Sequence, residues 1–140
     1  MTGAAVREAR RRRGEQGREA GRWAEVVAAV WLMAKGWRIL GFRVKAKEGE
    51  IDLLARRGSV LAVVEVKRRA TLEAALAAVT PAQQARLRRA GEAIAARRPD
   101  LSRLFVRLDM VALAPRRRPR HIPDAWGPTG AQTFGARPRR

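Results

Sequence analysis

Between Gly14 and Lys35 apolar side chains return every three or four residues, a spacing that predicts one long helix. Trp23, Val27, Val30 and Ala34 mark the expected buried stripe, flanked by Val26 and Met33, and Gly36 stands where helices commonly end. The period then shortens to two. "WRILGFRVK" (37–45), "EIDLLAR" (50–56) and "SVLAVVEVK" (59–67) read as strands, the last two joined in a hairpin at Arg57-Gly58. Thr71–Val79 returns to helix. Thr80-Pro81-Ala82-Gln83 combines an N-cap, a proline at the first helical position and a glutamine three residues after the cap, so a further helix is expected to about Arg97, stopped by Pro99. "RLFVRLDMVALA" (103–114) is apolar almost throughout, as interior strands are. Residues 1–13 are basic and aperiodic and read as a flexible arm. Residues 115–140, rich in Pro, Gly and Arg, read as a mostly irregular, partly docked tail. The predicted order is α-β-β-β-α-α-β: an α/β core domain over 14–114, with helices packed on a sheet.

Four residues interrupt the hairpin's apolar run: Glu50, Asp52, Glu65 and Lys67. Strand side chains alternate, so Ile51, Leu53 and Ala55 should share one face and Glu50, Asp52 and Leu54 the other. A two-residue turn at Arg57-Gly58 pairs Arg56 with Ser59, Asp52 with Val63 and Glu50 with Glu65. All four polar residues then share one side, and Asp52 and Glu65 are diagonal neighbours, their Cα atoms ~7–8 Å apart. A solvated hairpin face is the plain alternative, yet like charges directly opposite are destabilising. Three acids crowd together in an otherwise basic chain. A cation, or protonation of one acid, relieves that repulsion, and Lys67 supplies only one positive charge.

The chain has 140 residues, enough for one modest core, with 31 basic and 13 acidic residues and a formal charge of +18. That excess points to a polyanionic partner, nucleic acid first, with an RNA-bound or acidic-protein adaptor as a lesser class. Four of the basic residues are lysines, which makes Lys67 a chemical choice: a compact ammonium behaves unlike a guanidinium fork. With no cysteine, disulfides and thiolate metal sites are excluded and a reducing compartment fits. No apolar run suits a signal peptide or a bilayer span, so a cytoplasmic protein without membrane contact is expected. His121 is the single histidine, leaving triads and His-based metal sites without partners and favouring a structural or phosphate-contacting role. Asp109, in the interior strand, is expected to pair with an arginine. Trp23, Trp31 and Trp37 are expected in the core, with Trp126 capping it from the tail.

"GEID", a hairpin and "VEVK" resemble the active-site pattern of the PD-(D/E)xK nuclease superfamily of restriction endonucleases and Holliday-junction resolvases. More closely, "GRWAE", "GWRIL", "GEIDLLARRG", "VVEVKRR", "VTPAQQARL", "RLDMVAL" and "HIPDAW" resemble, in order and over residues 14–126, the YraN family of small bacterial proteins. The resemblance implies a restriction-endonuclease-like mixed sheet and metal-dependent phosphodiester hydrolysis. Asp52 and Glu65 would bind Mg²⁺ or Mn²⁺ with the backbone carbonyl of Val66, Lys67 would orient or activate water, and Glu25 in "GRWAE" matches the helix glutamate of resolvase-like members. Glu50 would bind metal through water or flank the site. Two departures stand out: Ile51 replaces the superfamily's proline, and Gln83 replaces a residue that is often basic. DNA is the expected substrate, gripped by Arg68, Arg69, Arg86, Arg88, Arg89 and Gln84, and resolvase-like relatives imply a homodimer. The alternative is a nucleic-acid-binding protein of this fold without efficient turnover.

Overall fold

A computed structural model describes residues 2–127, which form three helices and one five-stranded sheet. The elements are α1 (Gly3–Ala34), β1 (Arg38–Ala46), β2 (Gly49–Arg57), β3 (Val60–Arg68), α2 (Leu72–Ala77), α3 (Pro81–Arg97), β4 (Phe105–Leu113) and β5 (Arg120–Ile122). The strands lie side by side in chain order. All neighbours are antiparallel except β3 and β4, which run parallel and are joined through α2 and α3. The α/β fold with its mixed, helix-flanked sheet therefore matches the expectation from sequence. β5 is an addition, because a three-residue strand among prolines and arginines carries no periodicity to detect.

Two apolar clusters fill the two sides of the sheet. Ala28, Ala29 and Leu32 of α1 pack with Leu53, Ala55, Ala62, Val64 and Val111. Ala75 of α2, Val79 of the connection, and Leu87 and Ala90 of α3 pack with Leu54, Leu61, Val63, Leu108 and Met110. β3 lies between two strands and under both layers, which is why "VLAVV" is buried without alternation. The capping box of α3 is present as expected: Thr80 Oγ1 accepts from Gln83 N–H at 3.2 Å, and Gln83 Oε1 accepts from Thr80 N–H at 2.9 Å.

α1 departs from the sequence reading twice. Residues 3–13 are helical, not an irregular arm, with Thr2 as N-cap and Glu8 between Arg11 at 3.3 Å and Arg12 at 3.4 Å. Good helix formers with such pairs need no apolar stripe to stay helical. The expected stripe is also turned mostly outward: Trp23, Val30 and Ala34 are exposed, as are the flanking Val26 and Met33, and Val27 is half-buried, whereas Ala24, Glu25, Ala28, Ala29 and Leu32 face the sheet. Alanines let the helix axis approach closely; the bulky residues would hold it off. Of the tryptophans, Trp37 is buried, Trp31 is half-buried with Lys35 Nζ 4.8 Å from its ring centre, and Trp23 is 68% exposed. Trp126 caps the α3-side cluster and donates to the Leu76 carbonyl at 3.1 Å. None of the described helices is long and apolar enough to cross a membrane. The tail beyond Gly127 lies outside the described residues.

Candidate active site

β2 and β3 pair from Arg57↔Val60 to Leu53↔Val64, although β2 starts at Gly49 and β3 continues to Arg68. Past that point β2 stays with β1 and β3 with β4, so the sheet forks. Asp52 sits in the fork. Its Oδ2 accepts from the Val66 N–H at 2.9 Å, a donor that the interrupted ladder would otherwise leave over. The turn is Gly58-Ser59, with Gly58 at φ +58°, so the register differs by two residues from the one expected around Arg57-Gly58. A slip of two moves no side chain to the other face. Carried one step further, the observed register sets Asp52 across from Glu65 instead of diagonal to it.

Alternation also breaks here. Val44 and Ile51 join the cluster under α3, whereas Leu53 joins the one under α1, so Ile51 and Leu53 do not share a face as expected. The break coincides with Arg43, whose φ of +48° is left-handed. Arg43 lies opposite Asp52, between the pairs Phe42↔Leu53 and Val44↔Ile51.

The fork opens into a cleft of about 710 Å³ that brings together Glu25, Arg43, Glu50, Asp52, Glu65 and Lys67. Glu25 arrives from α1, buried to 7% exposure, and both of its oxygens accept from Arg43 Nε, at 2.7 and 3.0 Å. Lys67 Nζ lies 3.0 Å from Glu65 Oε1. Burial, then the charge of Glu65, pushes the Asp52 carboxyl up to about 7, against the Val66 hydrogen bond and Lys67. The hydrogen bond to Glu25 holds the Arg43 guanidinium above its ordinary pKa, assisted by the charges of Glu25, Glu50 and Asp52. Among the described residues no three His, Cys, Asp or Glu side chains converge closely enough to hold a metal as they stand. Asp52, Glu65, Glu25 and Glu50 thus share a cleft without forming one ligand set.

The expected nucleic-acid contacts divide. Arg68 and Arg69 line the cleft, and Arg86 lines a second opening of about 240 Å³ on the α3 side, shared with Glu50 and Glu65. Arg89 is exposed on α3 and borders neither opening. Arg88 is half-buried and donates to the Gly127 carbonyl, and Gln84 donates to the Val79 carbonyl at 3.1 Å. These two side chains are occupied within the fold. Arg43 was absent from the sequence-based set. It is one of three basic residues in β1, with Arg38 and Lys45, and is told apart from them only once β1 is registered against Asp52.

His121 and Asp109 are structural. Asp109, fully buried, accepts from Arg107 Nε at 2.7 Å and Nη2 at 2.9 Å, meets His121 Nε2 at 2.8 Å and accepts from the Asp124 N–H at 3.0 Å. This hub fastens β5 and the following turn to β4.

A family model described as "Uncharacterised protein family UPF0102" matches residues 24–113, which carry Glu25, Asp52, Glu65 and Lys67. The chain belongs to the UPF0102 family. It is 64% identical over 118 residues to a UPF0102 protein of Caulobacter vibrioides, covering 84% of this chain and 94% of that one. A UPF0102 protein of Paramagnetospirillum magneticum is 53% identical over 110 residues, covering 76% and 85% of the two chains. Another, from Rhizobium meliloti, is 50% identical over 106 residues, covering 76% and 87%. The UPF0102 match thus spans β1 to β4, α2, α3 and the last third of α1, and the whole fork lies inside it.

Proposed function

We propose that this UPF0102 protein is a metal-dependent endonuclease of the PD-(D/E)xK superfamily, hydrolysing phosphodiester bonds in DNA. The observation that carries the reading is the company Asp52 keeps. It is a half-buried carboxyl whose pKa burial and Glu65 push up to about 7, with Lys67 on the next strand, all opening to solvent at a break in the sheet. A protein that only grips phosphates gains nothing from acids beside them.

The donor chemistry fits a hard divalent cation: every candidate ligand is oxygen, and the Glu65 charge helps to raise the Asp52 pKa, a crowding of carboxylates that a cation relieves. Asp52, Glu65 and the Val66 carbonyl would hold Mg²⁺ or Mn²⁺, with Glu25 joining from α1. When bound, such an ion polarises the scissile phosphate and makes water a better nucleophile at neutral pH. The remaining work falls to the chain. The Val66 N–H fixes the orientation of Asp52. Lys67, already at 3.0 Å from Glu65, offers ammonium protons to a water or to the phosphoryl oxygens as charge builds on them. Arg68 and Arg69, at the same cleft, hold neighbouring phosphates without reading sequence.

The test is cleavage of a panel of branched, duplex and single-stranded DNA with Mg²⁺ and with Mn²⁺. Lys67→Ala and Asp52→Ala should each lower the rate by about 100-fold or more, as removal of one charge-stabilising group commonly does. Inactivity of the wild type on every substrate with both metals would defeat the enzymatic reading. DNA binding without cleavage, unaffected by either substitution, would mark a binding module instead.

A further inference from the structure

We propose that Arg43 is a built-in counter-cation that competes with the divalent ion for Glu25, so that metal loading is a displacement and not simple filling. The inference rests on the metal-site reading above and adds a residue to it. Three observations converge. First, Glu25 is buried, and both of its oxygens accept from one donor, Arg43 Nε, which leaves neither free of a partner. Second, Arg43 faces Asp52 across the β1–β2 ladder and lines the same cleft as Glu50 and Glu65, so its charge answers the whole acid cluster. Third, its backbone is left-handed at φ +48°, a conformation that glycine adopts freely and most other residues resist. A strained arginine at such a position has a use for its side chain there.

Chemically the contact is a latch. One Nε–H shared between the two Glu25 oxygens brings a full positive charge against them, so without metal it steadies a buried glutamate that would otherwise repel Asp52 and Glu65. A dication offers Glu25 twice the charge, but only if Arg43 lets go. Within the described residues only the Nε–H of Arg43 is engaged. The other four N–H groups can follow a new acceptor when Glu25 changes partner.

Mn²⁺ titration of the full chain without nucleic acid, read from the electron paramagnetic resonance of the free ion, tests the latch. Arg43→Asn suits the left-handed backbone, since asparagine tolerates it, and Arg43→Gly serves as the second variant should the first misfold. Either should tighten Mn²⁺ binding by about five-fold or more, the range of ordinary coupling between sites. In a Glu25→Gln background the same substitution should gain much less, because the competition has gone. An equal gain in both backgrounds overturns the latch, since Arg43 would then act only through general charge. Binding that Asp52→Asn abolishes and Arg43→Asn leaves unchanged overturns the latch and spares the metal reading. Absence of binding in wild type and both Arg43 variants overturns the two together.

Discussion

Asp52 and Asp109 are two carboxyls withdrawn from water, and they should leave opposite marks on the pH dependence of stability. Asp52 has its pKa raised to about 7, so between about pH 4 and 7 the folded state keeps a proton that the unfolded chain has released. Its contribution therefore erodes as pH rises through that window. Asp52→Asn, which keeps an oxygen for the Val66 N–H, should stabilise the protein at pH 8 by about 1–3 kcal/mol and change little at pH 4. Urea melts at the two pH values check this; equal stability of mutant and wild type at pH 8 would refute the charge crowding. For Asp109, burial pushes the carboxyl up, but the bonds from His121, Arg107 and Asp124 outweigh it and hold the pKa below the usual carboxylate range. That contribution is present above about pH 4 and is lost on acidification. Asp109→Ala, which strips four contacts of their acceptor, should cost about 3–5 kcal/mol at neutral pH by denaturant unfolding. The arginine partner of Asp109 was foreseeable from chemistry, because a lone carboxylate in an interior strand needs one. That its hub fastens the tail was not, since His121 and Asp124 come from a segment without periodicity.

How far each element could be read from the chain follows from what sets its orientation. The hairpin was legible as two paired strands because a register slip of two moves no side chain to the other face, even though the turn lies one residue further on; the break in alternation beside Asp52 was not, and Asp52 and Glu65 share the cleft across it. The helix α3 was legible to its ends, since Thr80, Pro81 and Gln83 act locally. α1 was legible as a helix but not in its rotation. Hydrophobic size chose Trp23 and Val30 for the interior, whereas close packing on the sheet chose Ala24, Ala28 and Ala29. Glu25 entered as a site residue through the family resemblance, and no apolar count would have placed it on the inner face. Close approach governs α3 as well. A Cβ added to Gly91 would run into the Val63 side chain and lie 3.1 Å from Val106. Gly91→Ala should therefore destabilise by about 1–3 kcal/mol despite alanine's better helix propensity, through overpacking of α3 on β3. A gain in melting temperature would show that the helix can back away at little cost.

Charge acts over the molecule as a unit. The net +18 favours phosphate over most of the surface, yet the fork gathers four acids, Glu25, Glu50, Asp52 and Glu65, beside its four basic residues, so the cleft is less positive than the rest of the chain. Affinity for DNA should therefore depend steeply on salt and rise when divalent ions are present. The slope of log K against log salt counts the phosphates neutralised, at roughly 0.9 per contact on duplex. Arg68→Ala, Arg69→Ala and Arg86→Ala, which alter residues lining the two openings, should each flatten the slope by about one contact. Arg88→Ala and Gln84→Ala should leave the slope alone and lower stability instead, because the first holds Gly127 and the second Val79. Composition treats all of these arginines alike, and only their partners in the fold tell them apart. Filter binding over a salt series, paired with thermal melts of the same variants, separates the two groups. A flattened slope for Arg88→Ala together with an unchanged one for Arg68→Ala would mean that DNA approaches along α3 and away from the fork, and the assignment of the cleft to catalysis would fall with it.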